Sequence, residues 1–155
     1  MLLYRIVHRN YIHLIPSGIE GRWNSAGNKV IYAAESIPLA FLETMIRRQG
    51  IGFSDQFRIL FLEIPDNASI SSINEKDLDP DWRESITLCQ ALGDQWYRKS
   101  STVLLKVPSS VMPYSYNYLV NMQHPGSKQV KLQAVTELMP DHRIEEILKG
   151  FKNKS

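Results

Sequence analysis

A short polar segment bounded by glycines, residues 21–27, places one arginine beside one tryptophan. The guanidinium of Arg22 is a planar fork of N–H donors that suits phosphate, and glycine lets the backbone approach a ligand closely. The alternative is a surface turn with the tryptophan against the core and the arginine in solvent. The segment alone therefore leaves an anion site and a plain turn open.

Two further positions combine a reactive or stacking side chain with apolar surroundings. Tyr32 lies among small and β-branched residues, where it can pack in the core or stack on a flat heteroaromatic ring. Glu43 lies about 40° from Leu39, the centre of the apolar arc of a predicted helix, on the same side as Ile46. A carboxylate there is costly to bury unless a polar group meets it. The alternative is an i,i+4 pair with Arg47 that turns Glu43 outward.

Polar side chains also follow the predicted strand that ends at Pro108. Ser109 can point into a cleft or satisfy a backbone group in a local turn. Asn117, Asn121 and His124 lie a few residues further on and can recognise a ligand or hold a loop together. These residues stay candidates on both readings.

Composition and motifs exclude several classes of protein. The chain has 155 residues, of which 43% are hydrophobic and 22% charged, and its formal net charge is +2, which is typical of a soluble globule and short of the basic surface of a nucleic-acid binder. It has no apolar run long enough for a membrane span and no secretory signal, so we expect a cytoplasmic protein. It also lacks GxGxxG, P-loop, CxxC, HExxH and GxSxG motifs. Four scattered histidines and a lone Cys89 predict no metal site.

The predicted elements mix strands with a few helices. We expect strands at residues 4–8, 29–34, 57–64 and 102–107, with weaker ones at 114–118 and 130–135. Helices are predicted at about 37–48, with Ser36 as N-cap and a stop at Gly50, at 87–98 and at 144–151. Asp79-Pro80 predicts a helix start, and a mobile loop is expected up to Lys29. Helices are too few to cross over between every pair of strands, so the pattern favours an α+β fold with a mixed or antiparallel central sheet in a single domain, residues 1–155.

Taken together, these segments resemble the RES domain, a family named for its Arg, Glu and Ser positions. Each matching piece is weak alone, but their order and spacing along nearly the whole chain make the resemblance specific. The pieces are Gly21-Arg22-Trp23-Asn24 with Gly27, Val30-Ile31-Tyr32, Leu39-Ala40 with Leu42-Glu43, Trp82, Gly93 with Trp96, Val107-Pro108-Ser109, Asn117-Tyr118, Asn121, His124-Pro125, and Asp141 with Arg143. Two places depart from the pattern: Asn121 precedes Met122 instead of proline, and Glu20 replaces the first of two glycines before Arg22.

The resemblance implies a fold related to ADP-ribosyltransferases and a bacterial toxin that consumes NAD⁺ as a substrate, by hydrolysis or phosphorolysis, with no cofactor and with inorganic phosphate as a possible co-substrate. It also implies an Xre-type helix-turn-helix antitoxin that covers the active site, and a possible homodimer within that complex. The implied catalytic residues are Arg22, Tyr32, Glu43 and Ser109. The implied NAD⁺-binding residues are Arg22, Trp23, Asn24, Tyr32, Ser109 and Asn121.

These implied roles form a chemical hypothesis. Cleavage of the nicotinamide bond develops positive charge on the ribose, which a carboxylate such as Glu43 stabilises, while Arg22 clamps phosphate or ribose. Tyr32 would stack against nicotinamide, and Ser109 would bind its amide or the ribose. Two alternatives stay open. One is a mono-ADP-ribosyltransferase that modifies a protein, and the other is a non-enzymatic binding module or ribonuclease-like toxin that uses His8, His13 or His124.

Overall fold

Seven strands form one mixed sheet in the computed structural model, which describes residues 1–49 and 56–152. The strands are β1 (Leu2–His8), β2 (Val30–Ala34), β3 (Phe57–Glu63), β4 (Ile70–Ser72), β5 (Leu104–Pro108), β6 (Tyr116–Asn121) and β7 (Lys131–Glu137). Their order across the sheet is β4-β5-β6-β2-β1-β3-β7. β4 and β5 pair in parallel and the other neighbouring strands are antiparallel. The predicted mixed α+β architecture is confirmed.

Strand β2 lies at the centre of the sheet and is covered on both faces, as its unbroken apolar sequence predicts. Ile31 and Ala33 belong to the core cluster on one face, together with Leu3 and Leu60. The intervening Val30 belongs to a different cluster, formed with the tryptophans. This period of two also fixes where Tyr32 lies, because it shares a face with Val30.

Three α-helices accompany the sheet: α1 (Ile37–Arg47), α2 (Ile86–Lys99) and α3 (His142–Lys152). The predicted N-cap of α1 is confirmed, since the Ser36 hydroxyl accepts a hydrogen bond from the amide of Leu39 at 3.3 Å. The predicted stop at Gly50 lies outside the described residues. Within the described ranges, no helix is long and apolar enough to cross a membrane.

The predicted helix start at Asp79-Pro80 is wrong. A single 3-10 turn, Trp82–Glu84, follows that dipeptide, and α2 begins four residues later with Ser85 as its N-cap. The Ser85 hydroxyl accepts from the amide of Leu88 at 3.3 Å, so this serine supplies the capping bond that the aspartate does not. The interruption buries Trp82, which is 1% exposed, beneath the segment that carries Arg22.

Candidate active site

Arg22 lies in a tight turn that is closed by its own backbone. Gly21 and Asn24 form an antiparallel bridge, with the Gly21 amide donating to the Asn24 carbonyl at 3.0 Å and the reverse bond at 3.4 Å. Arg22 and Trp23 occupy the two central positions. The turn therefore fixes the backbone from which the guanidinium projects.

Tyr32 supports this turn from strand β2. Its hydroxyl accepts from the Trp23 amide at 3.0 Å and donates to Asn24 Oδ1 at 2.7 Å. Burial is the main reason why the pKa of Tyr32 lies well above its usual value. A Cβ at Gly21 would lie 2.7 Å from the same hydroxyl, which explains the glycine. The structure thus gives Tyr32 a positioning role, and its stacking on nicotinamide stays a prediction.

The structure buries Trp23 and Asn24 in the turn, while their ligand contacts and the mobility of this loop stay predictions. Trp23 is 3% exposed and its ring lies 5.9 Å from that of Trp82, while Asn24 is 1% exposed. The Asn24 amide group donates to the carbonyls of Ile19 and Ser25 at 3.1 Å each. Because core packing and internal hydrogen bonds involve both side chains, Trp23 and Asn24 hold the turn.

The Arg22 side chain is half-buried and keeps its charge uncompensated. Its Nη1 donates to the Arg83 carbonyl at 2.9 Å and lies 4.0 Å from the sulfur of Cys89, and its guanidinium lies 5.9 Å from the centre of the Trp82 ring. No carboxylate pairs with Arg22 among the residues that the structure describes, whereas Arg83 is paired with Glu75 at 2.6 Å. Arg22 is therefore the cation that remains available to an anionic ligand.

Arg22 lines a cavity of about 430 Å³, which is within the range of small-molecule sites. The other lining residues come from α1, from the 3-10 turn Trp82–Glu84 and from the loop after β5. They are Ile46, Arg83, Glu84, Ser110 and Val111. Ile46, placed in the buried arc by the helical pattern, is 57% exposed in this cavity. The apolar arc of α1 is thus narrower than predicted.

Glu43 is held by two side chains from the strands beneath α1. Ser109 Oγ donates to Glu43 Oε1 at 2.7 Å, and Asn117 Nδ2 donates to the same oxygen at 2.6 Å. Within the described chain, neither Arg47 nor any other cation pairs with Glu43, so the carboxylate leans inward as its helical position predicts. Its second oxygen, Oε2, makes no hydrogen bond with a described residue.

The Ser109 hydroxyl fulfils both roles that the sequence left open. It accepts from the amides of Val111 and Met112, at 3.1 Å each, and so stabilises the turn between β5 and β6. Its proton is donated to Glu43, and the residue is 1% exposed. Ser109 therefore orients the carboxylate in this arrangement, and its direct bond to nicotinamide or ribose stays a prediction.

Asn117 is a site residue that the sequence named only as a general candidate and that is absent from the implied catalytic and NAD⁺-binding sets. The motif that resembles the family contains it, but nothing in the local pattern indicates a contact with a residue 74 positions away. Sheet register explains the contact, since Asn117 pairs with Ala34 of β2 and with Val107 of β5, two residues before Ser109.

Glu43 lies beside the Arg22 cavity. Ile46, one helical turn beyond Glu43, lines that cavity, and so do Ser110 and Val111, which follow Ser109 directly. Glu43 is not itself a lining residue, so the described structure places an oriented carboxylate next to a cleft that is lined by an unpaired guanidinium.

A second arginine, Arg5 of β1, contacts the neighbouring strand β2. Arg5 Nη1 donates to the Tyr32 carbonyl at 2.8 Å, and burial, with the charge of Arg47 second, lowers the pKa of Arg5 to about 10. No carboxylate pairs with either arginine in the described ranges. Arg5 of β1 therefore contacts the backbone of the neighbouring strand β2 at Tyr32.

Asn121, predicted to bind NAD⁺, lies elsewhere. It is four residues from Asn117 along β6, about 13 Å in an extended strand, and is 1% exposed. Its amide donates to Ser100 Oγ at 3.3 Å and accepts from the Gln123 amide at 3.0 Å. It lines a separate polar cavity of about 560 Å³. The structure does not bring Asn121 to the cleft of Arg22 and Glu43.

Within the described residues, histidines do not converge on this cleft, whereas Glu84 lines the cavity and Glu43 lies beside it. Among the described residues, no group of three or more His, Cys, Asp or Glu side chains could hold a metal ion. His8 bonds Gln56, at 2.7 Å, and His124 accepts from the Gly126 amide at 2.9 Å, so both are engaged away from Glu43. The geometry favours chemistry by Arg22 and Glu43 over acid–base catalysis by histidine.

Comparisons with known proteins show the family of this chain. Residues 2–143 match the model of the RES domain family. The chain is 36% identical to "Toxin Res" of Pseudomonas putida over 149 residues, which is 93% of this chain and 99% of the relative. It is 33% identical to the "Prs ADP-ribosylating toxin" of a Sphingobium species, over 80% of each chain. Its fold is similar to that of a chain in the crystal structure of the M. tuberculosis MbcT-MbcA toxin-antitoxin complex, with a TM-score of 0.69, 20% identity, and coverage of 96% of this chain and 88% of that one. The chain belongs to the RES domain family.

Proposed function

We propose that this protein is a toxin that breaks the bond between nicotinamide and ribose in NAD⁺. The observation that carries the proposal is the arrangement of Glu43, whose Oε1 accepts two hydrogen bonds while Oε2 has no described partner, beside a cavity lined by the unpaired Arg22. A carboxylate and a guanidinium in one cleft suit a substrate that is anionic at one end and develops positive charge at the other.

In the proposed reaction, nicotinamide leaves as the C–N bond breaks, and the ribose carbon develops positive charge. The negative charge of Glu43 stabilises this transition state more than the ground state. Its Oε2 is available to accept from a ribose hydroxyl, while Ser109 and Asn117 hold Oε1. Because these two donors fix the carboxylate before the substrate binds, little reorganisation is needed during the reaction.

Arg22 would bind the pyrophosphate of NAD⁺. The substrate brings two phosphate charges, and a guanidinium with no carboxylate partner provides both a counterion and directional donors. Its contacts with the Arg83 carbonyl and the Cys89 sulfur both use Nη1, and they leave the N–H groups of Nε and Nη2 for the ligand. The nucleophile that completes the reaction would be water or inorganic phosphate.

Product identification tests the proposal. Purified protein is incubated with NAD⁺, with and without phosphate, and the products are separated by chromatography. We expect nicotinamide together with ADP-ribose if water attacks, or with ADP-ribose-1″-phosphate if phosphate attacks. The absence of nicotinamide release in either buffer would contradict the proposal.

We also propose an antitoxin partner of the Xre type that covers the cleft. The support comes from relatives whose names describe toxins and from a fold shared with a chain of a toxin-antitoxin complex. Co-expression with the product of a neighbouring helix-turn-helix gene should restore growth and yield a stable complex. The complex should then release no nicotinamide from NAD⁺.

Transfer of ADP-ribose to a protein is the second candidate, and it is favoured by the name of the Sphingobium relative. The same cleft serves both reactions, because only the nucleophile differs. Labelled NAD⁺ added to a cell extract distinguishes them. Label on a discrete protein band indicates transfer, whereas label only in small molecules indicates hydrolysis or phosphorolysis.

A further inference from the structure

One face of helix α2 contacts the whole segment around Arg22, residues 21–29. The four residues of that face recur at the helical spacing i, i+3, i+4 and i+7; they are Gln90, Gly93, Asp94 and Tyr97. At one end, Gln90 Nε2 donates to the Gly21 carbonyl at 3.0 Å. At the other, the Tyr97 hydroxyl accepts from the Lys29 amide at 3.1 Å.

Gly93 sets the distance between the helix and the segment. A Cβ at this position would lie 1.7 Å from the carbonyl oxygen of Trp23, which no real structure tolerates. Only glycine lets α2 approach the Arg22 turn this closely. The side chains on either side of Gly93 on that face can therefore reach the backbone of the segment.

Asp94 makes the most contacts of the four. Its Oδ1 accepts from the Ser25 amide at 2.9 Å and from Asn28 Nδ2 at 2.7 Å, and its Oδ2 accepts from the Ser25 hydroxyl. Hydrogen bonds to an ionised carboxylate are stronger than those between neutral groups. Both oxygens of Asp94 are thus committed to the segment just after Arg22.

The hydrogen bonds of Asp94 determine what this residue can do in the polar cavity beside it. The lining of this cavity includes Asp94, Ser25 and Asn121, but both oxygens of the carboxylate accept hydrogen bonds from its own chain and no other acidic residue lines the cavity. Asp94 therefore does not serve as a free acid or a cation ligand there. Its contacts point instead towards the Arg22 turn.

We propose that Asp94 is a positioning residue for NAD⁺ binding, because it fixes residues 25–28 and thereby the guanidinium of Arg22. This inference rests on the proposed function of Arg22 as the phosphate clamp. The segment has no regular secondary structure and contains Gly27 at φ +91°, so without Asp94 it gains conformational freedom. The contact then acts on substrate binding more than on the chemical step.

Steady-state and single-turnover kinetics of Asp94→Asn test the proposal. We expect KM for NAD⁺ to rise about tenfold with kcat changed less than about threefold. In an Arg22→Ala background the same change should lower kcat/KM by less than about twofold, because residues that act through one another are not additive. Asp79→Asn is the matched control, since it removes an exposed carboxylate that makes no described contact with the segment. Full additivity of Asp94→Asn and Arg22→Ala would overturn the proposal.

Hydrogen exchange separates failure of this inference from failure of the proposed function. In Asp94→Asn, the amides of Trp23 and Ser25 should exchange about tenfold faster, while those of strand β6 keep their protection. Wild-type protein that releases no nicotinamide refutes the proposed function, and hydrogen exchange then decides the structural claim alone. Unchanged exchange of residues 22–28 in the variant would overturn the role of Asp94.

Discussion

Replacement of Glu43 by glutamine separates the charge of the carboxylate from its structural contacts. Glutamine keeps an oxygen that accepts from Ser109 and Asn117, and it places an amide nitrogen where Oε2 lies. We therefore expect the free energy of unfolding to change by less than about 1 kcal/mol. Turnover should fall about 10²- to 10³-fold, equivalent to about 2.7–4 kcal/mol, because the negative charge opposite the developing cation is lost.

Alanine at the same position should behave differently. Ser109 is 1% exposed, so its proton loses its acceptor with little access to water, which costs about 1–3 kcal/mol. Asn117 is half-buried and can bond water instead. For a chain of this size the loss lowers Tm by about 2–12 °C. Glu43→Ala is thus expected to be less stable as well as inactive.

The assay is chromatographic measurement of nicotinamide release under single-turnover conditions, with thermal unfolding of each variant alongside. Glu63→Gln serves as the matched control, because Glu63 is exposed on β3 and its replacement removes one carboxylate without touching the cleft. Turnover of Glu43→Gln within about threefold of wild type would refute the electrostatic role of this carboxylate.

Three other changes test separate parts of the site. Arg22→Lys keeps the charge but loses the planar fork, so initial rates should show KM for NAD⁺ raised at least about tenfold; an unchanged KM argues against the phosphate clamp. Asn117→Ala should lower kcat about tenfold in the wild-type background. In the Glu43→Gln background, the same change should lower kcat by less than about twofold. Equal losses of kcat in the two backgrounds would show that Asn117 does not act through Glu43. The pKa of Tyr32 is raised in the folded state, so the unfolded chain releases this proton at lower pH than the folded chain does. Urea denaturation should therefore show that the free energy of unfolding falls as pH rises above about 10, by up to about 1.4 kcal/mol per pH unit. Tyr32→Phe should flatten that slope and Tyr114→Phe, at a side chain that is 94% exposed, should not; equal slopes in the two variants would contradict the assignment.

Local sequence signals predicted the elements that depend on local interactions. Helix α1 has its own capping residue, Ser36, and the central strands have their own apolar pattern. The structure confirms both predictions. Strand β4 went unpredicted because Ile70-Ser71-Ser72 is short and polar, and it becomes a strand by pairing in parallel with β5. Packing that is not local also explains why the helix predicted at Asp79-Pro80 is absent. The dipeptide has the local features of a helix start, but the chain that follows it makes one 3-10 turn that buries Trp82.

In the candidate site, too, local features were predictable from the sequence and long-range contacts were not. The inward lean of Glu43 follows from its position on the helix, but its partners Ser109 and Asn117 lie 66 and 74 residues away and are brought near by sheet register. The segment after Arg22 looks mobile from its glycine and polar content. It is ordered by Asp94, 69 residues from Ser25, a contact that no local pattern contains.

A crystal structure of the Glu43→Gln variant with NAD⁺ tests the central claim most directly. We expect the nicotinamide ribose within hydrogen-bond distance of the residue 43 side chain and a phosphate oxygen within hydrogen-bond distance of Arg22, in the cavity lined by Ile46 and Ser110. NAD⁺ bound instead in the polar cavity beside Asn121, with no contact to Arg22 or residue 43, would contradict the account.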